Sequence, residues 1–197
     1  MLDCMTYRTT QQSPGSVLLR PLVVIALAVV TLTAGAAKAG WKHVKTTDGV
    51  VAHMSENPRS GLPIIRIRTR IDAKLGEVLG VVTDVSNSCK WAGRCIEAKV
   101  LREITPLRHH VYSRRKGPWP ISDRDFELKS KIRIARAGHL VTVKFWSVSK
   151  PTLAEKSGVV RMKTMRGHYR LTWAGPETTD FEFQVEADPG GWIPTWV

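Results

Sequence analysis

From Arg124 to Ile134 the chain alternates without a break. Phe126, Leu128, Ser130, Ile132 and Ile134 occupy one parity, and Asp125, Glu127, Lys129, Lys131 and Arg133 the other. A period of two places these sets on opposite faces of an extended strand, whereas a helix would scatter the apolar set around its circumference. The stretch therefore specifies a β-strand that is apolar on one side and charged on the other.

The same pattern recurs through the second half of the chain. Ile96, Ala98, Val100 and Ile104 alternate with charged neighbours, and His109 to Arg115 reads as another extended piece. Ala137-Gly138-His139 forms a hairpin turn into Val141, Val143 and Phe145. Val159 to Met165 and Gly167 to Trp173 read as two strands. Gly175-Pro176 then turns the chain into Thr179, Phe181, Phe183 and Val185. Upstream, Val50 to Glu56 and the run Ile64, Ile65, Ile67 and Ile71 add two more, the latter with Arg66, Arg68 and Arg70 on its alternate face. Ala73 to Val85 differs. Leu75, Val78, Leu79 and Val82 recur at helical steps, and Asp72 stands where it would cap the start. A short second helix is expected around Trp91. The fold class is α+β: a small helical piece within an antiparallel meander wetted on a single side. No second sheet is available, so a helix or a ligand must cover the apolar face.

The N-terminus bears on location. Arg8 and Arg20 precede the apolar run Leu22 to Val30, and Ala37-Lys38-Ala39 has the small-x-small form of a signal-peptidase site. Residues 1–39 are read as a signal peptide cleaved after Ala39, which leaves a domain over 40–197 exported to a periplasmic or secreted location. The alternative is a membrane anchor through residues 21–37, a length marginal for a span of ~20 residues. The whole chain carries a net charge of +13. Beyond residue 39 there are 27 basic against 16 acidic side chains, a net charge of +11, so the excess belongs to the domain. Export argues against nucleic acid as its partner and favours an anionic membrane surface. Oligomeric state is not readable. Cys89 and Cys95 form a disulfide in an oxidising compartment or remain two half-buried thiols; spacing alone leaves both open.

Three segments carry a resemblance to a known family. Gly117-Pro-Trp-Pro-Ile-Ser-Asp-Arg-Asp-Phe126 resembles the hallmark P-W-P-x-S-D-R-D-F stretch of START (StAR-related lipid-transfer) domains. Gly167-His-Tyr-Arg-Leu171 is similar to the family's glycine-x-tryptophan-x-leucine strand, with Tyr169 in place of tryptophan. Asp188-Pro-Gly-Gly-Trp-Ile-Pro-Thr-Trp196 resembles its turn into the last helix. Trp41 and Trp91 also stand where the family often has tryptophan. The resemblance implies a helix-grip fold, in which a curved antiparallel sheet wraps a C-terminal helix around an internal hydrophobic cavity. It implies binding, and transfer between membranes, of a sterol, phospholipid or other lipid, with no cofactor.

The cavity candidates are the apolar-face residues Val111, Phe126, Leu128, Ser130, Ile132, Val143, Phe145, Tyr169, Leu171, Phe181 and Phe183. For any one of them plain core packing is an equal reading. In some family members a buried arginine lies six residues after the R-D-F arginine; here that position is Ser130. Pro118, Trp119, Pro120, Asp123, Arg124, Asp125, Asp188, Pro189, Gly190 and Gly191 are read mainly as structural, with Trp119 as a core plug. No nucleophile elbow, dinucleotide loop or zinc motif is present in the sequence. His109 and His110, adjacent on a strand, point to opposite faces and cannot share a metal. A carrier without catalysis is the reading. The rivals are a surface module docking through Arg66, Arg68 and Arg70 and through Arg114, Arg115 and Lys116, and a helix-grip cyclase or hydrolase.

The family continues past the Asp188 turn into a helix that plugs the sheet, whereas this sequence stops at Val197. Each large apolar side chain of such a helix contributes roughly 1.5–3 kcal/mol, against a total domain stability of ~5–15 kcal/mol. The 197-residue form is therefore expected to be marginal, ligand-stabilised or oligomeric. Thermal unfolding with and without added lipid tests this; a high midpoint in a ligand-free monomer contradicts it.

Overall fold

The computed structural model describes residues 40–193. The expected signal peptide, its alternative as an anchor, and Trp196 fall outside that range. The strands are β1 (Lys42–Thr47), β2 (Val50–Glu56), β3 (Pro63–Ile71), β4 (Cys95–Thr105), β5 (Arg108–Arg115), β6 (Asp123–Ala135), β7 (Leu140–Ser147), β8 (Val159–Arg161), β9 (Thr164–Gly175) and β10 (Thr178–Asp188). One α-helix, α1 (Leu75–Thr83), separates β3 from β4. The expected second helix is a single 3₁₀ turn at Ser88–Lys90. The sheet order is β1-β2-β3-β10-β9-β7-β6-β5-β4. After α1 the chain restarts at the far edge and returns strand by strand until β10 pairs with β3. These pairings are antiparallel throughout, and the sheet is curved. Among the described residues no helix follows β10, and none is long and apolar enough to cross a membrane.

Helix α1 begins three residues after Asp72. Its N-cap is Lys74, whose backbone N–H donates to Glu77 Oε2 at 3.1 Å. Glu77 thus supplies the capping carboxylate expected of Asp72. Val78 is buried, and Leu75, Leu79 and Val82 join it against Ile132, Val141, Val143 and Leu171 on the concave face. The helix therefore covers one end of the apolar surface and leaves the rest of the trough uncovered by it.

The expectation that one face of the sheet is wet fails at β6. Asp125 and Glu127, on its convex side, are 1% and 2% exposed. The cause is the segment from Val148 to Gly158 between β7 and β8, which folds over them. Strand β7 pairs only with Leu128–Ala135 of β6, and β8 takes up parallel pairing with Asp123–Asp125. That return delivers Arg161, whose guanidinium grips Asp125 in two bonds of 2.6 and 3.0 Å. Tyr112 Oη donates to the same carboxylate at 3.2 Å. Glu127 accepts from the backbone N–H groups of Thr152 and Leu153 at 2.9 and 2.7 Å and from Thr152 Oγ1 at 2.9 Å. His110 Nε2 lies 2.8 Å from it. A buried carboxylate is tolerated only with such partners.

Arg124 joins two of the sequence motifs. Its guanidinium donates to the carbonyls of Ser122, Pro189 and Gly190 at 2.5, 3.4 and 3.1 Å. Gly190 and Gly191 have φ of 58° and 64°, and a Cβ on Gly191 would meet Val160 at 3.1 Å. The turn is therefore closed to other residues at modest cost, and Asp188 Oδ1 fixes it by accepting from Gly190 N at 2.9 Å. Asp123 accepts from Gly117 N and pairs with Arg114 at 2.6 Å, closing the base of the loop that holds Pro118 and Pro120. Trp119 is not a core plug. The loop is pinned at its base and turns tightly, with Ile121 N donating to Pro118 O, so the indole stands at the tip, 91% exposed.

Burial works to raise the pKa of Glu127, but the donors from Thr152 and Leu153 and the neighbouring His110 outweigh it and hold the carboxyl below its ordinary value. Its contribution to stability is thus complete above the unfolded value of about pH 4.3. It is lost as pH falls through the lower native pKa. Glu127→Ala is expected to cost about 3 kcal/mol at neutral pH, a fall in Tm of roughly 6–12 °C, and to flatten the acid limb of the stability curve. An unchanged Tm would show that this carboxylate does not hold the covering segment.

Candidate functional site

The uncovered part of the concave face forms a cavity. Its roof is the C-terminal end of α1 and the segment after it, through Val82, Thr83, Val85, Ser88 and Trp91. Its floor is the concave face of the sheet. Of the predicted residues, Val111, Phe126, Leu128, Ser130, Ile132, Val143, Phe145 and Tyr169 line it. Leu171, Phe181 and Phe183 do not. Leu171 is fully buried, and Phe181 packs beside it against the core under α1. Phe183 lies behind the floor, stacked on Tyr169 with ring centroids 4.9 Å apart. Same-face parity cannot distinguish these positions from the cavity wall, because α1 covers only one end of the trough.

The cavity holds about 120 Å³ of free space and is partly open to solvent. Ligand pockets for drug-sized molecules run ~300–1,000 Å³. The floor is shaped by aromatics: Phe145 and Tyr169 are 5.7 Å apart. Gly167 makes room for them. A Cβ there would strike the Gln184 carbonyl and would stand 2.7 Å from the Phe145 ring.

The polar lining is sparse and includes no carboxylate. Ser88, His109, Ser113, Ser130, Arg115 and Tyr169 are its main members. The two adjacent histidines part as strand geometry requires: His109 faces the cavity and His110 the convex cluster. Burial raises the pKa of the Tyr169 hydroxyl, opposed by Arg115 nearby. Cys89 and Cys95 are joined in a disulfide that closes the loop carrying Trp91 and Gly93 at the cavity mouth. Among the described residues no group of His, Cys, Asp and Glu is placed to hold a metal.

The two proposed arginine patches look different in three dimensions. Arg68 pairs with Glu182 at 2.6 Å and Arg70 with Asp180 at 2.8 Å, both acids on the neighbouring β10. Arg66 lies 3.7 Å over the Trp41 ring. Arg114 pairs with Asp123, and Arg115 turns inward to line the cavity, so of that second patch Lys116 alone is exposed and has no ion-pair partner among the described residues. Arg115 is the cavity residue that sequence reasoning misplaced. The signal was present, since Arg115 shares parity with Val111 and Ser113 on β5.

A curved antiparallel sheet with one helix over an apolar cavity matches the helix-grip architecture apart from its C-terminal helix, which is not found among the described residues. A START domain model matches residues 24–197, and the chain belongs to the START domain family. An uncharacterised protein of Pseudomonas aeruginosa is 28% identical over 176 residues, which is 89% of this chain and 86% of that one. Phosphatidylcholine transfer protein of Bos taurus is 25% identical over 81% of this chain and 75% of its own length. The crystal structure of the STAR-related lipid transfer protein from Xanthomonas axonopodis superposes with a TM-score of 0.71 at 27% identity, covering 80% of this chain and 86% of that one.

Proposed function

We propose that this protein is a lipid carrier, holding one hydrophobic molecule in the concave cavity and moving it between membranes without chemically altering it. The observation that carries the reading is the apolar trough left open by α1, floored by Phe126, Leu128 and Phe145, with Ile132 and Val143 at the border where α1 packs. Membership of a family that includes named lipid-transfer proteins supports it. With about 120 Å³ free in the cavity, a whole lipid would extend past its walls into the open space that adjoins it. The carboxylate-free lining gives His109 no carboxylate to orient it within the cavity, which favours carriage over catalysis. The ion pairs of Arg68, Arg70 and Arg114 favour carriage over a docking module built on those arginines.

Ser130 lines the cavity but belongs to neither buried apolar cluster. Ser130→Trp is therefore expected to fill the site while the fold persists. Transfer of labelled lipid between vesicles should fall at least about tenfold, the scale of ~1.4 kcal/mol in binding, with Tm little changed. Transfer at the wild-type rate by this variant would exclude the cavity as the carrying site.

The same reading places the carrier outside the cytoplasm, on the strength of the basic start, apolar run and Ala37-Lys38-Ala39. N-terminal sequencing of the protein from its native host is expected to begin at Gly40. A chain that retains residues 21–37 would instead be the anchored form.

A further inference from the structure

Arg115 ends β5 with its side chain directed into a cavity whose other walls are mostly apolar. A guanidinium carries five N–H donors and stays charged at neutral pH. Here it makes one hydrogen bond to protein among the described residues, from Nη1 to the Gly93 carbonyl at 3.0 Å. No described carboxylate lies within 4 Å of it, in contrast to Arg68, Arg70, Arg114, Arg161 and Arg166, each of which has an acidic partner. Burial lowers its pKa, and the nearby Tyr169 opposes that shift. A half-buried cation without a counter-charge is costly. Arg124, which also has no carboxylate partner among the described residues, offsets that cost with several backbone carbonyls, whereas Arg115 has the Gly93 carbonyl alone and leaves room for an anion on the guest.

We propose that Arg115 selects amphiphiles whose polar end is an oxyanion, a carboxylate or a phosphate, bound at the cavity mouth with the tail laid over Phe126 and Phe145. The inference rests on the reading of the cavity as a lipid site. Gly93 holds one guanidinium nitrogen from within the loop closed by Cys89 and Cys95, which leaves the remaining donors of a cavity-lining side chain without a protein acceptor among the described residues. The planar fork suits either oxyanion in a bidentate contact. The two sources differ in their tails: a fatty acid joins its carboxylate to a single chain, and a phospholipid joins its phosphate to a branched pair.

Two matched pairs separate head from tail: oleate against oleyl alcohol, and phosphatidic acid against diacylglycerol. Binding of each to the full chain is measured by competition with a fluorescent fatty-acyl probe. In the wild type, the charged member of at least one pair is expected to bind roughly tenfold to a hundredfold tighter, and the pair with the larger ratio identifies the source. Arg115→Leu should abolish that ratio while keeping affinity for the neutral member. Arg115→Lys, which retains the charge without the fork, should fall between. Equal affinities within both pairs in the wild type, or a ratio that survives Arg115→Leu, overturns this inference and leaves the carrier reading standing. Failure of all four lipids to bind overturns both.

Discussion

The structure depends on one strand that is buried on both faces. β6 presents Phe126, Leu128, Ser130 and Ile132 to the cavity and Asp125 and Glu127 to a sealed convex cluster. A strand with one wet face can shift its register by two residues and keep its apolar side inward. β6 cannot, because each buried carboxylate has a defined set of donors: Arg161 and Tyr112 on one, Thr152 and Leu153 on the other. The ionic contacts on the outside therefore fix which side chains floor the cavity on the inside.

Arg124 extends the same logic along the chain. It ties the start of β6 to the Asp188–Gly191 turn that follows β10, more than sixty residues later. Both motifs are tied into the scaffold. Their charged residues hold backbone carbonyls and one another, which places the loop with Pro118 and Pro120 and the turn after β10 at the same end of β6. The guanidinium that lines the cavity belongs instead to Arg115, in a position no motif marks.

Most of the strand plan was legible because period-two alternation is a property of the local chain. β2 was readable to the residue, and β6, β7, β9 and β10 were placed to within a few positions. β1 was missed because Lys42–Thr47 lies at a sheet edge with every residue exposed, so no apolar face marks it. The convex burial of Asp125 and Glu127 was not legible, since their partners come from residues 152, 153 and 161, and nothing local to β6 announces a covering segment. Trp119 misled because a tryptophan between prolines looks like an anchor, whereas the geometry of a tightly pinned loop decided its exposure. The division between cavity wall and core at Leu171, Phe181 and Phe183 depends on where α1 lies across the trough, which parity does not encode.

The open strand order has a further consequence. A sheet that does not close into a barrel leaves two rows of backbone donors and acceptors without a neighbouring strand among the described residues, here along β1 and β4. Such rows invite another chain to add a strand. Both are blunted. β1 carries Lys42 and Lys45 and a register irregularity between His43 and Lys45, and β4 carries Glu97, Lys99, Arg102 and Glu103 with three irregularities against β5. Bulges twist an edge out of plane, and charges must be stripped of water to stack. The trough can thus stay open to a guest while its flanks resist templating an aggregate.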